Sequence, residues 1–527
     1  MVFMAVPLAR ADQGANRSSA HRALILSFVL LGLLLRLYLL FRPGHLFGIT
    51  EYDDGVYFGA ALRLVQGIAP YKDYVLVQPP GIAVLLSPFA MLSKIAGTSV
   101  GFAATRLFTV AVDCANIALV GLLVRSRGPI AISAACGVMA VYPQAIASSQ
   151  TVLLEPYLNF FLLVGFLLCF GRFRFKKSPT SILLAGIFLG LAGSVKAWAI
   201  IPAAVLFAVL FFSAGKSNRK SSIPLLAGTV AGFIVVVAPF FVIAPGAFVR
   251  EVVLDQLSRA PGRRVSLLVR MTDITGANPL SWLLGHGSLV AAALSFAWML
   301  VILWAAVRTL SDPEVLSIVV VAATILIFIA LLWPNDFYYH YADFEAPFLA
   351  MALAIAVSNS TRDIRDSWAE TFHATRAWIV PTIVLLFLAT TLEVVYESSV
   401  APAAQPAKAA EAAIPVGSCV VSDQVSLLIA SNRFFSESPD CSKMLDPFGT
   451  AIALSGGKTI DGGAALNEKV VSNWLSALES AQYVWLTPQN TRRIPWTAVT
   501  KSYFGRHFRL VLSLSPAEGR IYRRYGA

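Results

Sequence analysis

Charge is what this sequence has least of. Only 13% of its 527 residues are Asp, Glu, Lys or Arg, and just 29 are acidic. A water-soluble domain carries about a quarter. With 57% hydrophobic residues and a mean hydropathy of +0.72, that scarcity excludes an ordinary soluble globule and describes a polytopic membrane protein. The common nucleotide and hydrolase signatures are missing too. No P-loop, dinucleotide fingerprint, HExxH or GxSxG occurs, so a nucleotide-driven or hydrolytic reading has no motif behind it. Basic residues exceed acidic ones by 12; the orientation bias of membrane loops accounts for this without nucleic acid. Cysteine is sparse. Cys114, Cys136 and Cys169 fall in apolar stretches and read as small core residues. Cys419 and Cys441 share the one long polar segment, where a disulfide outside the cytoplasm is expected.

What is present is apolar chain. Stretches able to span lie near 23–41, 79–97, 100–124, 129–148, 152–170, 181–195, 197–213, 222–244, 286–308, 315–333, 342–358 and 377–396. Basic clusters at Arg125/Arg127, Arg172 to Lys177, Lys216 to Lys220 and Arg362 to Arg376 mark the cytoplasm. All of them face inward only if 79–97, which contains Pro88 and Lys94, is an interfacial or re-entrant helix. The expectation is therefore an all-α polytopic membrane bundle of about eleven crossings with surface helices in the first outer loop, 43–99. Residues 1–21, with Arg10 and Arg17, form a cytoplasmic tail. The span after them, preceded by Arg22, is a retained anchor. Residues 398–414 read as a Pro/Ala linker. Short strand-like runs within 415–527 read as a small extracytoplasmic α/β domain, accessory to the membrane part. The carboxyl terminus is then outside.

This topology gathers polar residues on the outer face. Asp53 and Asp54 follow the first span, and adjacent carboxylates there are costly unless they handle protons, cations or substrate. Thr50-Glu51-Tyr52-Asp53 resembles a capping box, so a helix is expected from there to about Gly67, its acidic first turn favoured by the helix dipole. Gln78-Pro79-Pro80-Gly81 reads as a rigid turn. Arg106 and Glu155 sit near the outer ends of spans, and Lys196 separates two short apolar stretches. His340 lies in an aromatic run from Tyr338 to Tyr341, either part of an interfacial belt or a ligand. The 245–285 loop carries Arg250, Arg259, Arg263, Arg264 and Arg270, against the orientation bias. Those arginines meet either a donor phosphate or anionic lipid headgroups. Carboxylates ringed by Lys and Arg suit transfer of a sugar from a lipid phosphate, the cations holding the departing phosphate and a carboxylate deprotonating the acceptor hydroxyl.

The order of these motifs resembles the GT-C superfamily of membrane glycosyltransferases, in the branch of the protein O-mannosyltransferases and the lipid A aminoarabinose transferase. The acid pair Asp53/Asp54 comes first, followed by Pro79-Pro80, Arg106-Leu107, Glu155, Lys196 in AGSVKAW, and the Tyr-rich segment running into Pro347. The resemblance covers about 20–396. It implies a polyprenyl-phosphate-linked sugar donor, an inverting transfer, and a hexosyl- or pentosyltransferase such as a mannosyl- or arabinosyltransferase of the cell envelope. Asp53 would be the catalytic carboxylate, with Asp54 the alternative, and Glu155 the second carboxylate. Lys196 and Arg106, with Arg263 and Arg264, would bind the donor phosphate. Gln78, Tyr339 and His340 would contact substrate or a metal. No cofactor is demanded, though adjacent carboxylates permit a divalent cation. The acceptor is a glycan, lipid or protein hydroxyl, and the location the cytoplasmic membrane. The chain departs from the pattern in having Asp-Asp for Asp-Glu, and Val77-Gln78 where those branches place Glu-Lys or His. Two other classes remain in view. One is a transporter or flippase for lipid-linked sugars, whose expected inverted repeats are not seen. The other is an envelope assembly protein with a glycan-binding outer domain.

Overall fold

A computed structural model describes residues 6–176, 178–212, 216–258, 264–275, 287–311, 313–366, 392, 408–515 and 518–526. The chain is mostly helical. α1 (Val6–Leu40), α2 (Asp53–Leu64), α3 (Gly81–Ala96) and α4 (Thr98–Val124) are followed by α5 (Pro129–Val141) and α6 (Pro143–Ser149). Then come α7 (Glu155–Cys169), α8 (Pro179–Val195), α9 (Ile200–Phe212) and α10 (Lys216–Ile243). Gly287–Leu310, Val315–Leu332 and Ala346–Asp366 complete the described bundle.

Among the described residues, four helices are long and apolar enough to cross a bilayer: 18–40, 98–127, 219–243 and 315–332. A fifth span forms if α5 and α6 are taken together. They are bent by 53° because Tyr142, preceding Pro143, is forced into extended backbone. Shorter apolar helices occur at 81–96, 155–169, 179–195, 197–212, 295–310 and 346–360. The expected span at 377–396 lies outside the described residues, apart from Leu392.

The 79–97 stretch forms α3. Its 16 residues fall short of the ~20 a bilayer core requires. Pro88 lies inside it, and it buries Ile82, Ala83, Leu86 and Ala90 while Met91 and Ile95 are exposed. At its start, Gly81 lets the Pro-Pro turn abut the end of α8; a Cβ there would stand 2.4 Å from the Ser194 carbonyl oxygen.

Two contacts set the bundle. Gly186 and Gly190 of α8 face Gly228 and Gly232 of α10, and a Cβ on Gly190 would stand 2.1 Å from the Thr229 carbonyl oxygen. Small residues thus bring the two backbones together, the usual device where no hydrophobic force drives helices together in lipid. Arg36 of α1 meets Asp113 of α4 at 2.7 Å, both fully buried. Arg36 also donates to the Gly32, Met139 and Ala140 carbonyls, and Asn116 donates to the Pro156 carbonyl. An intramembrane charge is tolerated here because it is paired and hydrogen-bonded.

β1 (Phe170–Gly171) and β2 (Arg174–Phe175) form a minimal hairpin between α7 and α8. The carboxyl-terminal sheet contains β3 (Val420–Ser422), β4 (Tyr483–Leu486), β5 (Phe508–Ser513) and β6 (Arg520–Arg524), in the order β3-β4-β6-β5. β3 pairs parallel to β4 and the other pairs are antiparallel. Asp446 and Asn467 cap the helices Pro447–Ser455 and Glu468–Ser480 with their side chains. The expected Cys419–Cys441 disulfide is formed.

The sheet is not held apart from the membrane part. Ala410 and Ile414, at the end of the expected linker, are buried in one apolar cluster with Val56 and Phe58 of α2 and Leu428 and Trp485 of the sheet region, and 408–413 is helical. The cause lies in α2 itself. Every residue from Asp54 to Arg63 is buried, and a helix apolar on all sides requires cover on all sides. The bundle covers one side and the carboxyl-terminal region the other. Thr98 donates to the Ile429 carbonyl at 2.6 Å. Arg63 donates to the Ser442 carbonyl at 3.2 Å while lying 4.7 Å over Phe434.

Candidate active site

The site is built at the first turn of α2. The expected capping box does not form: Tyr52 is the N-cap and no side chain caps the helix. Thr50 instead donates to Asp54 Oδ2 at 3.2 Å. Asp54 is fully buried, and its Oδ2 also accepts from Thr151 at 2.6 Å and Arg106 at 3.0 Å. Its Oδ1 accepts from Ser426 at 2.7 Å. Arg106 spends every N–H it has. Nε goes to Thr151, one terminal nitrogen to the His45 and Leu46 carbonyls, and the other to Thr50 and Asp54. With five donors in all, none is left for a ligand, and the guanidinium stacks on Phe102 at 4.1 Å. Arg106, expected to bind or support the donor phosphate, is the partner of Asp54 in this structure.

Asp53 behaves differently. Successive helical residues are turned by about 100°, so the bonding that locks Asp54 leaves its neighbour half-buried, touched by the Tyr57 hydroxyl at 3.3 Å. Asp53 acts electrostatically on His340 and Glu51.

Within electrostatic reach of it is a second polar group. α8 ends at Val195, Lys196 is extended (φ −149°, ψ 130°), and a short 3-10 turn leads into α9. At this break, as expected from the two short apolar stretches, Lys196 Nζ lies 2.5 Å from Glu155 Oε1. It stands 4.0 Å over the Trp198 ring and 4.2 Å over that of Tyr341. His340 Nδ1 is 3.0 Å from Glu155 Oε2. Burial pulls the His340 pKa down, but the adjacent Glu155 carboxylate outweighs it, so the imidazolium is favoured above the ordinary histidine value. Tyr339 donates to Glu51 Oε1 at 2.7 Å. Burial raises the Glu51 pKa, opposed by His340 and by the Tyr339 bond.

The remaining candidates separate. The Gln78 carbonyl accepts from Tyr71 at 2.6 Å, fixing the Pro-Pro turn, and its side chain is half-buried. Arg264 donates to the Leu332 carbonyl at 3.2 Å from an exposed position. Arg263 and Arg259 lie outside the described residues. Arg250 pairs with Glu251 at 3.4 Å. Arg270 is buried and holds the backbone carbonyls of Leu331, Pro334 and Asn335, so its role is to shape the chain leading to His340. Among the described residues no group of three or more His, Cys, Asp or Glu is arranged to hold a metal ion. Asp54 Oδ2 is occupied by three hydrogen-bond donors.

Reading the sequence did not single out Glu51, Tyr57, Thr151, Trp198 or Ser426. Trp198 and Glu51 could have been flagged by adjacency to Lys196 and Asp53. No local signal marks Thr151 or Ser426.

Over residues 89–246 the sequence matches the family of dolichyl-phosphate-mannose-protein mannosyltransferases. No curated protein sequence is significantly similar to the chain. Solved structures of like fold do exist. ArnT from Cupriavidus metallidurans in the apo state has a TM-score of 0.60 at 12% identity, covering 96% of this chain and 98% of that one. The same protein bound to undecaprenyl phosphate has a TM-score of 0.57, also at 12% identity, covering 95% and 98%. The Archaeoglobus fulgidus oligosaccharyltransferase tethered with an acceptor peptide has a TM-score of 0.59 at 15% identity, covering 96% of this chain and 74% of that one. The likeness is one of architecture: the chain has the GT-C fold of membrane glycosyltransferases.

Proposed function

We propose that the protein is an integral-membrane glycosyltransferase that moves a hexosyl or pentosyl unit from a polyprenyl phosphate to an acceptor hydroxyl on the extracytoplasmic face. The observation that carries this reading is the half-buried Asp53 sharing one region with the Lys196–Glu155–His340 triad. Support comes from the undecaprenyl phosphate bound by the ArnT of like fold and from the mannosyltransferase family match. In this reading about eleven crossings place the amino terminus in the cytoplasm and the carboxyl-terminal region outside, in the cell membrane. The division into tail, 22–397 bundle, linker and 415–527 domain belongs to the same reading.

The chemistry follows from the residues. Asp53 accepts the proton of the acceptor hydroxyl as its oxygen attacks the anomeric carbon. The bond from that carbon to the phosphate oxygen breaks on the opposite face, so configuration inverts. Lys196 and the free ring nitrogen of His340 neutralise the departing phosphate. Glu155 holds both cations in place and keeps His340 protonated. Asp54 and Arg106 take no part in bond making; they fix the turn that carries Asp53.

The test is transfer by purified protein in nanodiscs supplied with radiolabelled phosphopolyprenyl mannose or phosphopolyprenyl arabinofuranose and scored for released polyprenyl phosphate. Release coupled to a new glycoside bond supports the reading. Movement of intact donor across vesicle membranes with no glycoside formed would replace it with transport.

A further inference from the structure

We infer that the carboxyl-terminal region is a working part of the catalytic loop, and that Ser426 is a positioning residue that sets Asp53 through its neighbour Asp54. This rests on the assignment of Asp53 as base and goes beyond it. It reverses the expectation that the region is accessory.

The contact is direct. The Ser426 hydroxyl is fully buried, 2.7 Å from Asp54 Oδ1 and 2.9 Å from the Glu51 carbonyl, and its single proton is shared between them. It is the donor that engages Oδ1; the other three donors to Asp54 crowd onto Oδ2. Gln424 donates to the same Glu51 carbonyl at 3.2 Å. Glu51 and Asp54, which bracket Asp53, are therefore both held by one segment, over 370 positions along the chain. Nothing bulkier than glycine would allow this approach. A Cβ at Gly55 would stand 2.4 Å from the Ser426 backbone nitrogen and from its hydroxyl oxygen.

That segment is itself anchored. The neighbouring Asp423 accepts from the Thr487 amide at 2.7 Å and its hydroxyl at 2.5 Å. Arg493 lies 3.3 Å from Asp423 and 3.2 Å from Gln424 Oε1, and stacks over Tyr52 at 4.2 Å. The Tyr52 hydroxyl donates to Asp446 at 2.8 Å. The Cys419–Cys441 disulfide closes the loop that bears Gln424 and Ser426. Glu51, Tyr52 and Asp54 are thus gripped by a second set of residues, independent of the Arg106 and Thr151 contacts from the bundle, and Asp53 is held between them. A base displaced by about 1 Å can lose ~100-fold in rate, so a fixed grip of this kind bears on turnover.

The experiment uses the full chain in nanodiscs, with Ser426→Ala and Gln424→Ala compared with Asp53→Asn. Three quantities are read: turnover and donor KM with a radiolabelled phosphopolyprenyl sugar, hydrogen exchange over residues 50–64, and the affinity for undecaprenyl phosphate. For Ser426→Ala we expect turnover to fall by about tenfold or more with donor KM and undecaprenyl phosphate affinity unchanged, the pattern of an interaction expressed in the transition state. Exchange should quicken over 50–64 alone. Gln424→Ala should show the same pattern more weakly. Wild-type turnover in Ser426→Ala, or exchange quickened throughout the chain, would overturn the inference. The exchange readout needs no turnover. If Asp53→Asn stays active while exchange at 50–64 still responds to Ser426→Ala, the assignment of the base fails and the docking contact survives.

Discussion

Lys196 and Glu155 meet at 2.5 Å with 5% and 0% of their side chains exposed, and His340 takes the other carboxylate oxygen at 3.0 Å. One acid therefore serves two cations in a space almost closed to water. Breaking a buried pair by removing one partner costs about 3–5 kcal/mol, because the survivor is left as an uncompensated charge. Glu155→Gln is expected to lower unfolding stability by that order and to abolish transfer. Lys196→Met, which removes the cation proposed to meet the phosphate, is expected to weaken undecaprenyl phosphate binding by about tenfold or more. Native mass spectrometry of the lipid-bound fraction measures the second effect, and an unchanged fraction contradicts the phosphate role.

The same triad fixes a pH dependence. Burial lowers the His340 pKa, but Glu155 more than offsets this, so the folded value lies above the ordinary 6.5. Stability from the charged ring is then complete below the unfolded value and is lost as pH rises through the folded one. With Gln at 155, burial and the neighbouring Lys196 ammonium both disfavour the charged ring and only Asp53 still favours it, so the alkaline limb of undecaprenyl phosphate binding should move toward lower pH. A limb that stays where it is in Glu155→Gln would remove His340 from the site.

Asp54→Asn should act as a structural lesion. It takes away the charge opposite the buried Arg106 and turns an amide donor toward Arg106, Thr151 or Ser426. A loss of about 3–5 kcal/mol in unfolding stability is expected. Chemical unfolding in detergent reads this, and a variant as stable as the wild type would show that Arg106 is satisfied some other way.

The glycine seam between α8 and α10 predicts two opposite outcomes a few residues apart. Gly190→Ala forces a methyl against the Thr229 carbonyl and should cost about 1–3 kcal/mol as overpacking. Gly193→Ala meets only the Phe233 ring at 3.5 Å, and should be neutral or stabilising by up to about 1 kcal/mol from helix propensity. Thermal midpoints of the two variants decide it; equal midpoints would deny the seam its role.

Much of this architecture is legible in the residues alone. Apolar length marked the helices of the bundle, and Lys196 between two short stretches marked a real break. Two cysteines in one polar segment sufficed for the disulfide. What could not be read was the division of labour between Asp53 and Asp54. They are adjacent and chemically identical, and only Thr151 and Ser426, 97 and 372 positions from Asp54, decide which is locked. Arg106 looked like a phosphate ligand because an arginine's partners are invisible until the chain is folded. Arg36 and Asp113 carried a usable signal, each being an ionisable residue within an apolar span. Their pairing across α1 and α4 was the missing element.

The account stands or falls on Asp53. Asp53 is half-buried and accepts a long hydrogen bond from Tyr57, so Asp53→Asn should change unfolding stability by no more than about 1 kcal/mol. The decisive measurement is single-turnover transfer from a phosphopolyprenyl sugar by purified Asp53→Asn, with undecaprenyl phosphate affinity measured on the same sample. The predicted result is a loss of about 10²–10⁴-fold in rate with affinity intact. Transfer at the wild-type rate with the donor still bound would contradict the account.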